Sequence, residues 1–175
     1  MANKLIVISG KQFSGKDTVG KILLEQLPTF RRIGIGDAIK LEYSRRTGLT
    51  REEIEKNKPL YRQDLIDLGD WGRAQSFDYW LKSIIAQDGD ILVTDLRLKP
   101  ELNLFLENGA FTVRVEASEE ARAKRGTIVS SNDNTETNLD DVTTWNYVIQ
   151  NEGTYEELLE NVEPLLSEIK KYFGI

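Results

Sequence analysis

The chain is predicted to adopt an α/β fold with a mainly parallel sheet covered on both faces. Three observations predict it. Short apolar runs at 5–8, 91–94 and 111–115 alternate with longer segments whose apolar residues recur at helical spacing. Gly or Pro punctuates many of the junctions between them. The 175 residues, 39% of them apolar, suffice for one domain with a real core. Strands alternating with helices lie side by side, with the helices packed on the two faces.

Each element has its own signal. Residues 4–9 form a short apolar run that ends at Gly10, the pattern of a buried strand. Over 14–27, Val19, Ile22, Leu23 and Leu27 recur at helical spacing, and Pro28 stops the helix. A second strand is expected over 31–35, then a helix over 37–47 ended by Gly48. Thr50 and Glu53 have capping-box spacing and open a short helix. Helices over 60–74 and 77–87, a strand over 91–94 and a helix over 100–108 follow, the last ended by Gly109. Residues 111–116 alternate as a strand, and a helix runs from Ser118 through Arg125. A short strand over 147–150 and a long helix over 154–172 complete the chain.

Composition narrows the chemistry. Lys and Arg number 23 and Asp and Glu 29, so the net charge is 23 − 29 = −6, and there is no Cys or His. Disulfides, thiol nucleophiles, His-ligated metals and a Ser-His-Asp triad are therefore excluded. Carboxylates, Lys, Arg, hydroxyls, backbone amides and a hard cation such as Mg²⁺ remain. The acidity argues against a nucleic-acid polymer as partner. It is also uneven: 17 − 14 = +3 over residues 1–100, and 6 − 15 = −9 over 101–175. Residues 5–8 are too short for a signal-peptide core, and no run approaches the ~20 residues of a membrane span. A cytoplasmic protein, monomer or homodimer, with no membrane partner is the expectation.

The strongest local signal is Gly10-Lys11-Gln12-Phe13-Ser14-Gly15-Lys16-Asp17-Thr18. Gly10, Gly15 and Lys16 fit the phosphate-binding pattern G-x-x-x-x-G-K-[ST], except that Asp17 holds the last position and the hydroxyl follows at Thr18. Gly10, Lys11, Ser14, Gly15, Lys16, Asp17 and Thr18 are expected to cradle phosphate. A strand, a glycine turn and a helix N-terminus aim free amides at the ligand, and Lys16 reaches the terminal phosphates. Either Asp17 or Thr18 would ligate Mg²⁺.

Other candidates surround this loop. Asp95 and Arg97 follow the strand over 91–94, where ligands collect in open α/β sheets. Asp95 is a candidate Mg²⁺ ligand, and Arg97 a contact for the transferring phosphate. Arg62, Gly69 and Arg73 return to within about 20° of one helical stripe, two cations flanking a glycine. That suits an anion clamp on the acceptor, with Leu65, Ile66 and Leu68 facing the core. Asp37, after the flexible loop Gly34-Ile35-Gly36, either approaches Mg²⁺ or the acceptor, or caps a helix. Arg122 and Arg125 share a face ahead of Gly126 and a polar stretch, the composition of a mobile lid that excludes water from phosphates.

Taken in order, these motifs resemble a known family. They are Gly10–Thr18, Arg62-x-x-Leu65-x-x-x-Gly69-Asp70-x-x-Arg73 followed by Tyr79-Trp80, and Thr94-Asp95-Leu96-Arg97-x-x-x-Glu101. They continue with Gly109-Ala110, Val113-Arg114-Val115, Thr135-Glu136-Thr137 and Tyr147-Val148-Ile149-x-Asn151-x-Gly153-Thr154. The set resembles the bacteriophage deoxynucleoside monophosphate kinases and the animal-type phosphomevalonate kinases of the same P-loop superfamily. One segment departs: Asp133-Asn134-Thr135-Glu136 stands where the family often reads His-Pro-Ser-Glu.

The resemblance implies a three-layer P-loop kinase fold with a small lid, a single domain over 1–175. Its acceptor region would span about 37–87 and its lid about 118–140. It implies that the phosphates cradled by the loop over 10–18 are those of ATP, the donor, with Mg²⁺, and it implies Lys16, Asp95, Arg97, Arg122 and Arg125 as the catalytic set. Asp37, Arg62, Gly69 and Arg73 would bind the acceptor, and Asp17, Thr18 and Asp95 the metal. The expected reaction is phosphoryl transfer from ATP to a small phosphorylated acceptor, a (deoxy)nucleoside monophosphate before phosphomevalonate. Phe77, Tyr79 and Trp80 near Arg73 favour a base-stacking pocket. A rival of another class is a non-catalytic nucleotide-binding regulator.

Overall fold

A computed structural model describes residues 2–175. The chain forms two compact units, 33–87 and 2–32 with 88–175.

The larger unit is built on a five-stranded sheet. Its strands are β1 (Ala2–Gly10), β2 (Phe30–Arg32), β3 (Gly89–Leu96), β4 (Phe111–Glu116) and β5 (Tyr147–Gln150). Their order is β2-β3-β1-β4-β5, and every pair is parallel. β1 is central, with Val7 opposite Val93 on one side and Thr112 on the other. A fully buried parallel strand is apolar on both faces, and Leu5, Ile6, Val7 and Ile8 are all at most 3% exposed.

Helix α1 (Lys16–Gln26) follows β1, and the terminal helix α9 (Tyr155–Phe173) packs against it. Val19, Ile22 and Leu23 of α1 and Leu158, Val162, Leu165 and Ile169 of α9 join Ile6, Ile8, Leu92, Val113 and Ile149 in one core. Thr154 caps α9 by accepting from Glu157 N at 3.2 Å. The acidic residues of α9 lie on its exposed side: Leu158, Val162, Leu165 and Ile169 are buried, while Glu156, Glu157, Glu160 and Glu163 are exposed. Helices α6 (Lys99–Glu107), α7 (Glu119–Arg125) and α8 (Asn134–Thr137) complete the unit.

The smaller unit is helical: α2 (Ile35–Thr47), α3 (Arg51–Lys56), α4 (Lys58–Gln75) and α5 (Tyr79–Ile85). Gly48 ends α2 at φ +76°, and Thr50 with Glu53 forms the capping box of α3 at 3.1 and 2.7 Å. Trp80 anchors α5 on α4. Its Nε1 donates to Gly69 O at 3.0 Å, and Gly72 leaves room for the indole, which a Cβ would approach to 2.5 Å.

Two sequence expectations are corrected here. The second strand ends at Arg32, and Gly34-Ile35-Gly36 is no flexible loop: α2 begins at Ile35 because the Asp37 carboxylate accepts from Gly34 N at 2.8 Å. The helix expected over 60–74 starts two residues earlier, with Pro59 in the first turn, where its missing N–H costs nothing. The four-residue α8 had no periodic signal and was not expected.

Candidate active site

The phosphate loop joins β1 to α1. Gly15 is the N-cap of α1 at φ +99°, a conformation that favours glycine, and Phe13 also holds a positive φ of 59°. Ser14 N donates to Lys11 O at 3.1 Å, closing the turn. From the far edge, Asn151 Nδ2 donates to Ser14 O at 2.8 Å. A Cβ on Gly15 would stand 2.2 Å from that nitrogen. The Ser14 hydroxyl is buried and has no hydrogen-bond partner among the described residues. An orphaned hydroxyl beside a helix N-terminus is what an anion-binding loop leaves for its ligand.

Lys16 lies over this loop with Nζ 3.2 Å from Gly10 O. Burial pushes its ammonium below the 10.5 of a free lysine, and the neighbouring Arg97 adds to this. Asp17, Glu136 and Asp95 pull the other way. Arg97 is oriented from two sides. Its backbone N–H donates to Glu101 at 2.9 Å, and its guanidinium lies 3.3 Å from Glu136. Burial raises the Glu101 carboxyl above its ordinary value. The sequence-predicted residues Lys16, Asp95 and Arg97 are thus brought together.

Four of the expected site residues meet partners within the protein. Asp17 sits exposed in the first turn of α1, 3.4 Å from Arg32. Lys11 pairs with Asp140 at 3.0 Å. Backbone carbonyls engage part of each guanidinium of Arg122 and Arg125. Arg122 Nη1 donates to Gln12 O at 3.4 Å, and Arg125 donates to Phe13 O and Asn151 O at 3.0 and 2.6 Å.

Sequence reasoning gave no role to Gln12, Glu136, Arg114 or Asn151. Glu136 is 6% exposed; one carboxylate oxygen accepts from Gln12 N at 3.2 Å and the other faces Arg97. The only signal for it was the Glu136 of a family motif. Arg114 is buried on β4, donates to Ser9 Oγ at 2.9 Å and lies 3.5 Å from Asp140. Burial lowers its pKa from the ordinary value. A cavity of about 360 Å³ beside the loop is lined by Lys11, Ser14, Arg114, Arg122, Asp140 and Trp145, among others.

The smaller unit holds a cavity of its own, about 550 Å³. Arg62, Gly69 and Arg73 all line it. So do Lys40, Lys58 and the single acid Asp70. Leu65 and Ile66 also line it and do not face the core; only Leu68 is buried. Arg73 pairs with Asp70 at 3.4 Å and Lys40 with Glu55 at 2.5 Å, whereas Arg62 has no carboxylate partner among the described residues. Asp37 does not line the cavity: one oxygen caps α2 and the other meets Arg51. Nor do Phe77, Tyr79 and Trp80 line it. Trp80 is buried, Tyr79 stacks edge-on against Trp71 and Trp80, and Phe77 is exposed.

The parallel sheet and phosphate loop define an ATP-dependent kinase of the P-loop fold. Solved structures share that fold: the shikimate kinase of Aquifex aeolicus, with a TM-score of 0.53, covers 98% of this chain and 99% of its own at 20% identity. A gluconokinase of Sinorhizobium meliloti, at 0.55, covers 98% and 94% at 18% identity. Residues 8–111 match the profile of the phosphomevalonate kinase family. The phosphomevalonate kinase of Drosophila melanogaster is 31% identical over 137 residues, which are 70% of this chain and 72% of that protein. The chain belongs to the phosphomevalonate kinase family. No helix among the described residues is long and apolar enough to cross a membrane.

Proposed function

We propose that the chain transfers the γ-phosphoryl group of ATP to a small phosphorylated acceptor bearing a second anionic group, with phosphomevalonate as the first candidate. The observation that carries this reading is the cavity of the 33–87 unit. Lys40, Lys58, Arg62 and Arg73 line it with one acid, Asp70, and with the apolar Ile39, Leu65 and Ile66; Glu55, outside the lining, pairs with both lysines. A compact acceptor with anionic groups on a hydrocarbon body suits a cavity lined by cations and apolar side chains. A nucleobase would seek an aromatic face, and no aromatic side chain lines the cavity. Its 550 Å³ is nevertheless roomy enough to keep a nucleoside monophosphate as the second reading.

The acceptor's phosphate oxygen is already anionic near neutral pH, so transfer needs no imidazole base. Positioning and charge neutralisation carry it. Lys16 and Arg97 would hold the transferring group, and Arg122 and Arg125 would keep the phosphate loop in shape. The described residues contain no cluster of three or more acidic ligands for a metal. That fits Mg²⁺ bound with ATP, where phosphates fill most of the shell and a protein adds one or two oxygens. Asp95 and Thr18 would supply them, since Asp17 is turned to Arg32. The ion, when bound, neutralises charge on the phosphates.

A coupled ADP-release assay across phosphomevalonate, dNMPs and NMPs tests the reading. Turnover of phosphomevalonate alone is the expected result, and turnover of dNMPs alone would overturn it. Arg62→Met is expected to raise KM for the acceptor at least 10-fold with KM for ATP unchanged. An equal rise in both would show that Arg62 does not meet the acceptor.

A further inference from the structure

Gln12 belongs to none of the fixed positions of the phosphate-loop pattern, yet all of its polar groups are engaged by one distant segment. Its side-chain amide pairs with the backbone of Val129 in both directions: Nε2 donates to Val129 O at 2.5 Å, and Oε1 accepts from Val129 N at 3.2 Å. Its backbone N–H donates to Glu136, and its carbonyl accepts from Arg122. The flanking residues make the same connection. Lys11 pairs with Asp140, and the Phe13 ring lies so close to Gly126 that a Cβ there would come within 2.3 Å of it. The segment from 122 to 140 is therefore tied to residues 11–13 at its start, middle and end. Val129 itself is 59% exposed, so this pairing is not core packing.

We propose that Gln12 is a positioning residue, a latch that seats the 126–140 segment on the phosphate loop and so delivers Glu136 to Arg97. Glu136 links the two elements because its carboxylate bridges Gln12 N and the Arg97 guanidinium. With the segment seated, Arg97 is held beside Lys16 and water is kept from the transferring phosphate. With it loose, Arg97 loses its partner and water competes with the acceptor. This rests on the kinase reading of the phosphate loop.

The test is Gln12→Met, which keeps the side-chain length and removes both bonds to Val129. In the ATP-free protein, amide hydrogen exchange over 127–138 is expected to quicken at least 10-fold. With ATP and acceptor, the ratio of ATP hydrolysed to phosphoryl transferred is expected to rise at least 5-fold. If Gln12→Met does not fold, Val129→Pro removes the donor half of the pair from an exposed position and is expected to shift both readouts in the same direction. Unchanged exchange, or an unchanged hydrolysis-to-transfer ratio despite a lower melting temperature, overturns the latch. Calorimetric ATP binding by the unaltered protein stands apart from this: its absence would overturn the kinase reading instead.

Discussion

Lys16→Ala is expected to lower phosphoryl transfer roughly 10³-fold, the scale of removing one preorganised charge from a transition state. The fold should survive, because the ammonium is a cost to it. Burial and Arg97 lower the Lys16 pKa, so the charged form is disfavoured in the folded chain. The sign follows: below the folded pKa the buried charge destabilises, and stability recovers as pH rises through that value toward the 10.5 of the unfolded chain. Lys16→Met should therefore melt at or above the parent temperature at pH 7, with the gap closing as pH rises from the folded Lys16 pKa to 10.5. The kcat/KM for ATP, which reports the free enzyme, should fall on the alkaline side at a pH below 10.5, as Lys16 loses its proton. Near-parent turnover in Lys16→Ala would sink the mechanism.

Gly15→Ala should be nearly as damaging, for a different reason. At φ +99° an alanine is strained by about 1–3 kcal/mol. Its Cβ would also stand 2.2 Å from Asn151 Nδ2, the donor that satisfies the Ser14 carbonyl. Asn151 must move, and the loop loses its brace on that side. A drop in ATP affinity of more than 10-fold is expected by calorimetric titration, with a melting temperature lower by several degrees. Parent-like ATP affinity would show that the Asn151 brace does not shape the loop.

What was legible in the sequence is what one short pattern carries. Gly10, Gly15 and Lys16 are fixed by local backbone chemistry, and the apolar runs of β1, β3 and β4 by burial on two faces. For Asp37 the sequence leaves a ligand and a helix cap open, because an acid after glycines suits both; the structure has the cap, with α2 starting two residues before Asp37. The stripe of Arg62, Gly69 and Arg73 was found from helical geometry, but Leu65 and Ile66 were placed in the core because periodicity cannot distinguish a core from an apolar cavity. Glu136 and Gln12 meet from positions 124 residues apart, and Arg114 meets Ser9 across 105. No local spacing encodes such pairs. The bonds of Arg122 and Arg125 are equally illegible, because their partners are backbone carbonyls, which leave no trace in residue identity.

The central place of β1 has a consequence for how the chain must be made. It precedes both of its partner strands in the chain, so it emerges with two bare edges and four consecutive large apolar side chains, Leu5 to Ile8. Its neighbours are the strands ending at Leu96 and Glu116. Until the first of them has left the ribosome it can pair with no native strand, and long-range parallel pairing is slow even then. The nascent chain therefore carries a sticky ribbon until residues 89–96 emerge, and soluble yield should respond to translation speed and holdase chaperones more than to the final stability of the fold.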